Sequence, residues 1–342
     1  CPDDGGTAGS RTTPSTVPRV RNAAAAARAV LTKLAAVQLG VAEVELVNGD
    51  FVASNDKSIG LSELAKTQAA EERFKAALTT AGIEITAVAD WKVLGTSPGK
   101  VGGHAIVTGS HRYPSEIIRP NMVYGKVLRP KAYEATLKSI DLTPAEKMDG
   151  VKVVRDGDFV GCVAPTSWQA EKALDQLAAN AQWQSSEQQQ TSSGNVFEHL
   201  KQTGRESLGG RNRAKSWGDV DKALSAAAKK MATQYVVAYV QHAPMEPRAA
   251  VAEWKDDRLT VWAGIDWPQR IQRNRAESFS IPVDLVRVIG PDMGGGFGGK
   301  HTGEAAEEAA RLAKVAKRPV SLRWTRAEEF TWAYFRPAGV IE

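Results

Sequence analysis

The chain has only two cysteines in 342 residues, Cys1 and Cys162, and neither belongs to a CxxC or Cys/His cluster. That usage supports neither a disulfide framework nor a zinc site and leaves the compartment open. There is no run of 18 apolar residues, so no membrane-spanning helix is expected. The first residues also lack the basic start and apolar stretch of a secretion signal. Methionine is missing from position 1: the sequence starts at "CPDDGGTAGSR", inside what reads as a glycine-rich loop. The expectation from that start is a processed product or a piece of a longer polypeptide. Repeats with periods of 20 to 50 residues are absent, which excludes solenoids. An excess of one charge is nearly absent too. The net charge of +5 is spread among interleaved Lys, Arg, Asp and Glu, which reads as solubility, with anionic partners as the lesser reading; no nucleic-acid partner is expected.

What is present is ordinary globular composition, 42% apolar and 24% charged. The length exceeds what one hydrophobic core usually serves, so several domains are expected. "VPRVRNAAAAARAVLTKLAAVQLG" (17–40) has the spacing and composition of a helix, with Ser15 or Thr16 as its cap and Gly40 as its stop. Asn48-Gly49 between two alternating runs predicts a hairpin. "LSELAKTQAAEERFKAAL" predicts a helix capped by Ser62, and "GIEITAVADW" an extended run. From residue 93 to 183 the texture changes to short strands, "HAIVTG", "NMVYGKVLRP" and "VKVVRDGDFVGCVAP", and one helix, "SWQAEKALDQLAANAQW". "SSEQQQTSSGN" reads as a linker. After a basic loop, "RESLGGRNRAK", come a helix in "ALSAAAKKM" and strands in "QYVVAYVQ", "RAAVAEW", "RLTVWAGI" and "VDLVRVIG". A glycine loop follows, and then "GEAAEEAARLAKVAKRP", a helix with acids early and bases late, which suits its dipole.

The glycine loop, "PDMGGGFGGKHTG" (291–303), lies between a strand and a helix. Such a loop offers backbone N–H groups and a positive helix end to an anion. Gly294-xxxx-Gly299-Lys300 fits the start of GxxxxGK[ST], but His301 stands where the magnesium-binding hydroxyl belongs. A GxGxxG pattern through Gly294, Gly296 and Gly299 lacks the acidic residue that should follow some twenty positions on. Phe297 adds a flat apolar ring in the middle of an otherwise bare loop.

"GGGFGGK", the amphipathic helix and "RPVSLRWTRAEEF" together resemble the molybdopterin-binding large subunit of the xanthine dehydrogenase and aldehyde oxidase family. "GGHAIVTGSHRYPSEIIRPNMVYGKVLRPKAYEATLKSIDLTPAEKMDGVKVVRDGDF" resembles its α/β hammerhead domain, and "HAPMEPRAAVAEW" the opening of its first cofactor domain. "GGTAGSRTTPSTVPRVRNAAAAARAVL" is similar to a Gly/Ser loop and helix usually found in the second cofactor domain. Its early position matches the isoquinoline 1-oxidoreductase β-subunit type and related membrane-associated aldehyde dehydrogenases. The resemblance implies an α+β, multidomain fold, with mixed sheets in the cofactor domains. The expected parts are residues 1–92, part of the second cofactor domain; 93–184, the hammerhead; 185–215, a linker; and 216–342, an incomplete first cofactor domain.

It also implies a molybdopterin, in the cytosine dinucleotide form, carrying molybdenum. Gly295, Gly296, Phe297 and Gly298 are expected to meet it, together with Thr7, Ala8, Gly9, Ser10 and Arg11. No catalytic residue is expected in this chain, because the family's glutamate base belongs to a segment beyond Glu342. [2Fe–2S] clusters are expected in a small partner subunit, since two cysteines cannot hold them. A chain carrying the remaining molybdopterin segment and a cytochrome c acceptor complete the implied partners, and the implied location is periplasmic or membrane-associated. The substrate class that the resemblance implies is an aldehyde or an N-heteroaromatic compound. Two positions depart from the family. Asp266 stands where a Gln side chain is usual, placing an acceptor-only carboxylate where an amide donor belongs. His301 replaces the acidic residue of purine-oxidising members, which argues against xanthine.

Other residues read more plainly. Trp262 and Trp267 are expected to pack in a core, with substrate stacking as the lesser reading. Glu246 is expected to make a loop hydrogen bond, with a cofactor contact as the lesser reading. Glu304, Glu307 and Glu308 are expected to be first-turn helix acids, not a metal cluster. His242 and His301 show no sequence-visible partner. Two rival functions stand beside the oxidoreductase: a nucleotide-binding protein that uses Gly294 to Lys300 as a phosphate loop, and a non-catalytic scaffold of the same fold.

Overall fold

A computed structural model describes residues 3–75, 82–187, 191–204 and 217–342. The basic loop at 205–215 lies outside the described residues. Two compact units are present, Cys1–Val107 and Thr108–Glu342, and each is described by itself.

In the first unit the helix α1 runs from Val17 to Leu39, with Pro18 in its first turn and Gly40 ending it in a left-handed conformation. The expected hydroxyl cap is not used. A π-turn, Thr12–Thr16, leads directly into the helix, and the Thr16 hydroxyl donates instead to Asp4 at 3.1 Å. Strands β1 (Glu45–Val47) and β2 (Asp50–Val52) form the expected hairpin, and β3 (Ser58–Gly60) extends it. Asn48 and Gly49 both take positive φ, as a type I′ turn requires. The next helix splits in two. α2 (Leu61–Leu64) begins straight from β3 with Gly60 at its cap position, so Ser62 is interior. α3 (Gln68–Lys75) restarts after Thr67, whose hydroxyl accepts from the Ala70 amide. Leu31 and Ala35 of α1 close over Phe51, Ile59, Leu64 and Ala70 to make a small core.

"GIEITAVADW" pairs with no strand and carries only a 3₁₀ turn at Val88–Asp90. "HAIVTG" is helical, not extended: α4 spans Gly103–Val107, and the Ile106 amide donates to the Gly102 carbonyl. So short an apolar run does not distinguish the two periods.

The second unit is built on one seven-stranded mixed sheet. Its elements in chain order are β4 (Val123–Val127), β5 (Thr136–Ile140), α5 (Thr143–Glu146), β6 (Lys152–Asp156), β7 (Phe159–Ala164), α6 (Ser167–Ala179) and β8 (Ala181–Gln184). Then come α7 (Val196–Thr203), α8 (Val220–Ala226), β9 (Tyr235–Val237), β10 (Ala249–Lys255), β11 (Arg258–Ala263), α9 (Pro268–Phe279) and β12 (Val286–Ile289). Last are α10 (Glu304–Ala316), β13 (Val320–Arg323), α11 (Arg326–Trp332) and β14 (Gly339–Ile341). The expected helix in "ALSAAAKKM" stops at Ala226. The sheet order is β12-β11-β10-β13-β4-β7-β6, with β11/β12 and β13/β4 parallel and the other pairs antiparallel. Strands from the expected hammerhead and from the expected first cofactor domain therefore share one sheet.

Helix α10 lies across this sheet on a face of small residues, Ala305, Ala306, Ala309, Ala310 and Ala313, all buried. Leu312 fills the space that two glycines leave open. A Cβ on Gly125 would stand 2.6 Å from Leu312 Cδ1, and one on Gly161 would stand 2.9 Å from its Cδ2 and 2.7 Å from the Lys126 carbonyl oxygen. Gly161→Ala is therefore expected to destabilise the protein by about 1–3 kcal/mol, read as a lower urea midpoint with an unchanged slope. On the other sheet face Val160 and Cys162 of β7 meet Ala173 and Leu177 of α6. Burial pushes the Cys162 thiol up to about 12, so it is a packing residue, not a nucleophile.

Candidate functional site

β11 and β12 are parallel and joined through α9, so their C-terminal ends open on the same edge of the sheet. Ligands of α/β sheets commonly sit at such edges. From the end of β11 the chain passes through Gly264, Ile265, Asp266 and Trp267 into α9. From the end of β12 it passes through residues 290–303 into α10. The antiparallel β10 starts at this same edge, and the segment just before it carries Glu246, Pro247 and Arg248.

Glu246 and Arg248 hold the two ends of the glycine loop. The Glu246 carboxylate accepts from the Gly294 amide at 2.9 Å, from the Ser115 amide at 3.1 Å and from Lys300 Nζ at 3.3 Å. The Glu246 amide in turn donates to the Gly294 carbonyl. No Cβ fits at position 294, because it would lie 2.6 Å from that of Glu246. At the other end the Arg248 guanidinium donates to the Gly299 carbonyl, to Glu304 at 3.1 Å and to Glu329 at 2.7 Å, and Glu329 is fully buried. Glu246 thus has the loop-fixing role expected of it, and the cofactor-facing alternative is not needed. Glu329 went unnoticed in the sequence; its only signal was an acid one turn into a helix.

Lys300 is 2% exposed and points back beneath the loop toward Glu246. Burial holds its ammonium below the usual lysine range, with Glu246 opposing. A P-loop lysine must reach outward to phosphate, so the phosphate-loop reading of Gly294 to Lys300 fails on geometry as well as on His301. The space behind the loop, between Arg248, Ile265, Lys300 and Gly303, holds only about 10 Å³, room for one water at most. A ligand of the loop must therefore lie on its outer side.

On that outer side Gly296 to Gly299 form a tight turn closed by the Gly299 amide on the Gly296 carbonyl at 2.7 Å. Phe297 and Gly298 occupy its centre with φ of +51° and +88°. An aromatic residue in the left-handed region stores strain, about 1–3 kcal/mol, and such strain concentrates at ligand sites. Phe297 is 76% exposed. Among the described residues the amides of Gly295, Gly296, Phe297 and Gly298 meet no protein acceptor.

The two positions singled out as departures are in contact with each other. His301 Nδ1 lies against Asp266 Oδ2, so His301 has a partner that no sequence spacing revealed. The Asp266 side chain is only 9% exposed, and its Oδ1 is buried without a partner. Trp262 and Trp267 are half-buried rather than core residues, each beneath an arginine: Arg119 at 4.9 Å and Arg270 at 5.6 Å from the ring centres. Glu304, Glu307 and Glu308 are each answered by arginine, namely Arg248, Arg275 with Arg311, and Arg129. Burial pushes the Glu308 carboxyl above the usual range, against the opposing bonds from Arg129 and Trp324. The described residues contain no cluster able to hold a metal ion.

In the first unit Thr7 to Arg11 form an exposed loop ahead of α1, with Gly9 and Ser10 both at positive φ. The structure brings Asp266, His301 and Gly295 to Gly298 together in the second unit.

In the second unit the glycine loop offers unpaired amides and an exposed aromatic residue, and Asp266 beside it adds a buried carboxylate oxygen with no partner. That combination fits a flat ligand with mixed donors and acceptors, as a pterin is. Two family models, each described as a molybdopterin cofactor-binding domain, match residues 205–342 and 1–109. The chain thus carries molybdopterin cofactor-binding domains. A subunit of the nicotinate dehydrogenase of Pseudomonas putida is 25% identical over all of this chain and 28% of its own length. The aldehyde oxidoreductase molybdenum-binding subunit of Escherichia coli O157:H7 is 30% identical over 72% of this chain and 37% of its own. Among solved structures, the aldehyde oxidoreductase of Desulfovibrio gigas superposes with a TM-score of 0.60 at 19% identity, covering 81% of this chain and 35% of that one. The chain belongs to the xanthine dehydrogenase/aldehyde oxidase family. It spans about a third of the length of the curated relatives it matches.

Proposed function

We propose that this chain supplies one wall of the molybdopterin site in a molybdenum hydroxylase that oxidises an aldehyde or an N-heteroaromatic ring. The observation that carries the reading is the strained, exposed Phe297 among four unpaired amides, on a loop clamped at both ends. The names of the relatives, a nicotinate dehydrogenase and an aldehyde oxidoreductase, support the substrate class. When bound, the group would supply the redox chemistry; the protein's part is to bind it, orient it and keep water from its face.

In this proposal the amides of Gly295 to Gly298 bind the polar edge of the group and the Phe297 ring covers its reactive face. Thr7, Ala8, Gly9, Ser10 and Arg11 cradle the pterin. Asp266 meets it through Oδ1, which serves as an acceptor for an N–H of the ligand. The acid–base glutamate is proposed to come from a further molybdopterin-binding segment or a companion chain. Electrons are proposed to leave through [2Fe–2S] clusters of a small subunit, because two cysteines cannot supply the ligands. The cytosine dinucleotide form of the pterin, a cytochrome c acceptor and a periplasmic or membrane-associated location belong to the same proposal. So does the division into residues 1–92, 93–184, 185–215 and 216–342.

Phe297→Gly tests the role of the ring. The substitution relieves a left-handed conformation that costs an ordinary L-residue about 1–2 kcal/mol, so thermal stability should be unchanged or higher. The pterin recovered per mole of protein should fall severalfold. A variant that keeps its full pterin content would remove Phe297 from the site.

A further inference from the structure

Two imidazoles flank Gly298. A Cβ on that residue would lie 3.6 Å from His301 Nε2 and 3.8 Å from His242 Nε2, so both nitrogens border the space the glycine leaves open. Neither Nε2 has a protein partner among the described residues. Each ring is held by its other edge. His301 is fixed through Nδ1 on Asp266. His242 stacks on Tyr334 with ring centres 5.7 Å apart, and its Nδ1 is buried without a partner against Gly299.

That arrangement decides where the protons sit. In His242 a proton on the buried Nδ1 would be an unsatisfied donor, whereas on Nε2, which borders the space in front of Gly298, it can meet water or a ligand. The neutral ring therefore carries Nε2–H. In His301 the Nδ1 edge is taken up by Asp266, which leaves Nε2 as the edge that faces a ligand. The two buried cations are turned away and already answered: Lys300 lies beneath the loop on Glu246, and Arg248 is bound to Glu304 and Glu329. No third ligand exists for a metal among the described residues.

We propose that His242 and His301 form an oxyanion site in front of Gly298, their two Nε2–H groups converging on one oxygen, with Asp266 as the residue that positions His301. The oxyanion is either the carboxylate of a small organic acid, such as the product of aldehyde oxidation or a substituent of a heteroaromatic ring, or a phosphate oxygen. The site requires no bound pterin and can be tested apart from the proposed function; only the choice of an oxidised aldehyde or a ring substituent as its natural ligand rests on that reading.

The chain has five histidines, few enough to follow individually by NMR in the full chain labelled at histidine Cε1. His242→Gln and His301→Gln identify the two signals and, with thermal melts as the check on folding, serve as binding variants. Benzoate is titrated in one arm and pyrophosphate in the other. The expected result is that one probe shifts the His242 and His301 signals alone, with a common midpoint, and that probe identifies the source of the oxygen. Either glutamine variant should weaken binding about tenfold, the value of one charge-assisted hydrogen bond. Asp266→Asn should weaken it and reduce the His301 response more than that of His242. The proposal is overturned if neither probe moves either signal, if the two signals saturate at different midpoints, or if all five histidines shift together. The readout uses neither molybdenum nor turnover, so protein without pterin leaves it intact.

Discussion

Arg248→Ala is expected to lower stability by about 3–5 kcal/mol, the usual cost of removing one partner of a buried ion pair. Arg248 is 3% exposed and bridges three elements at once: Glu304 at the start of α10, Glu329 in α11 and the Gly299 carbonyl in the loop. Its loss leaves the fully buried Glu329 carboxylate, among the described residues, with only the backbone amide of position 248. Urea unfolding measures the loss directly. Arg248→Lys should recover part of it and not all, because an ammonium cannot reproduce the guanidinium fork that reaches three acceptors. Equal stability of the alanine variant and the parent would mean that the clamp does not hold the loop.

Glu246→Gln is expected to cost about 3 kcal/mol near neutral pH, for a related reason with a different pH signature. The amide oxygen can still accept from Gly294, but Lys300 then keeps a buried charge with its ion partner removed. Burial already holds Lys300 below its ordinary 10.5, and Glu246 opposes that shift. Removing Glu246 lowers it further. Between the lowered folded value and 10.5 the unfolded chain binds more protons than the folded one, so stability rises with pH across that window. The gap between parent and variant should therefore narrow as the pH is raised through the alkaline range. A gap independent of pH would show that Lys300 is not the group responsible.

These two residues also mark how far the sequence could be read. Local signals were legible: Asn48-Gly49 formed its hairpin, Gly40 ended its helix and two of the three acids expected in the first turn of α10, Glu304 and Glu307, sat there, whereas Glu308 is buried beyond it. The glycine loop was legible as a ligand loop because five glycines within the six positions 294–299 exceed what a turn needs. Long-range pairing was not. Glu246 finds Ser115 across 131 residues and Asp266 finds His301 across 35, and no periodicity encodes either contact. The short runs that failed, "HAIVTG" and "GIEITAVADW", are those whose few apolar residues fit both periods, so neighbours decided their state. The cores that position the site rest on small residues. Five alanines of α10 and the glycines at 125 and 161 bring helix and sheet close, and a hydropathy pattern does not register such closeness.

The most direct test of the central claim is the cofactor content of the protein itself. The chain is isolated, with whatever polypeptides accompany it, from a cell that makes molybdopterin. Molybdenum is measured by elemental analysis, and pterin by fluorescence after denaturation and oxidation. The account predicts both in near-equal amounts, with the pterin depleted in Phe297→Gly. Well-folded protein that carries neither molybdenum nor pterin would contradict it.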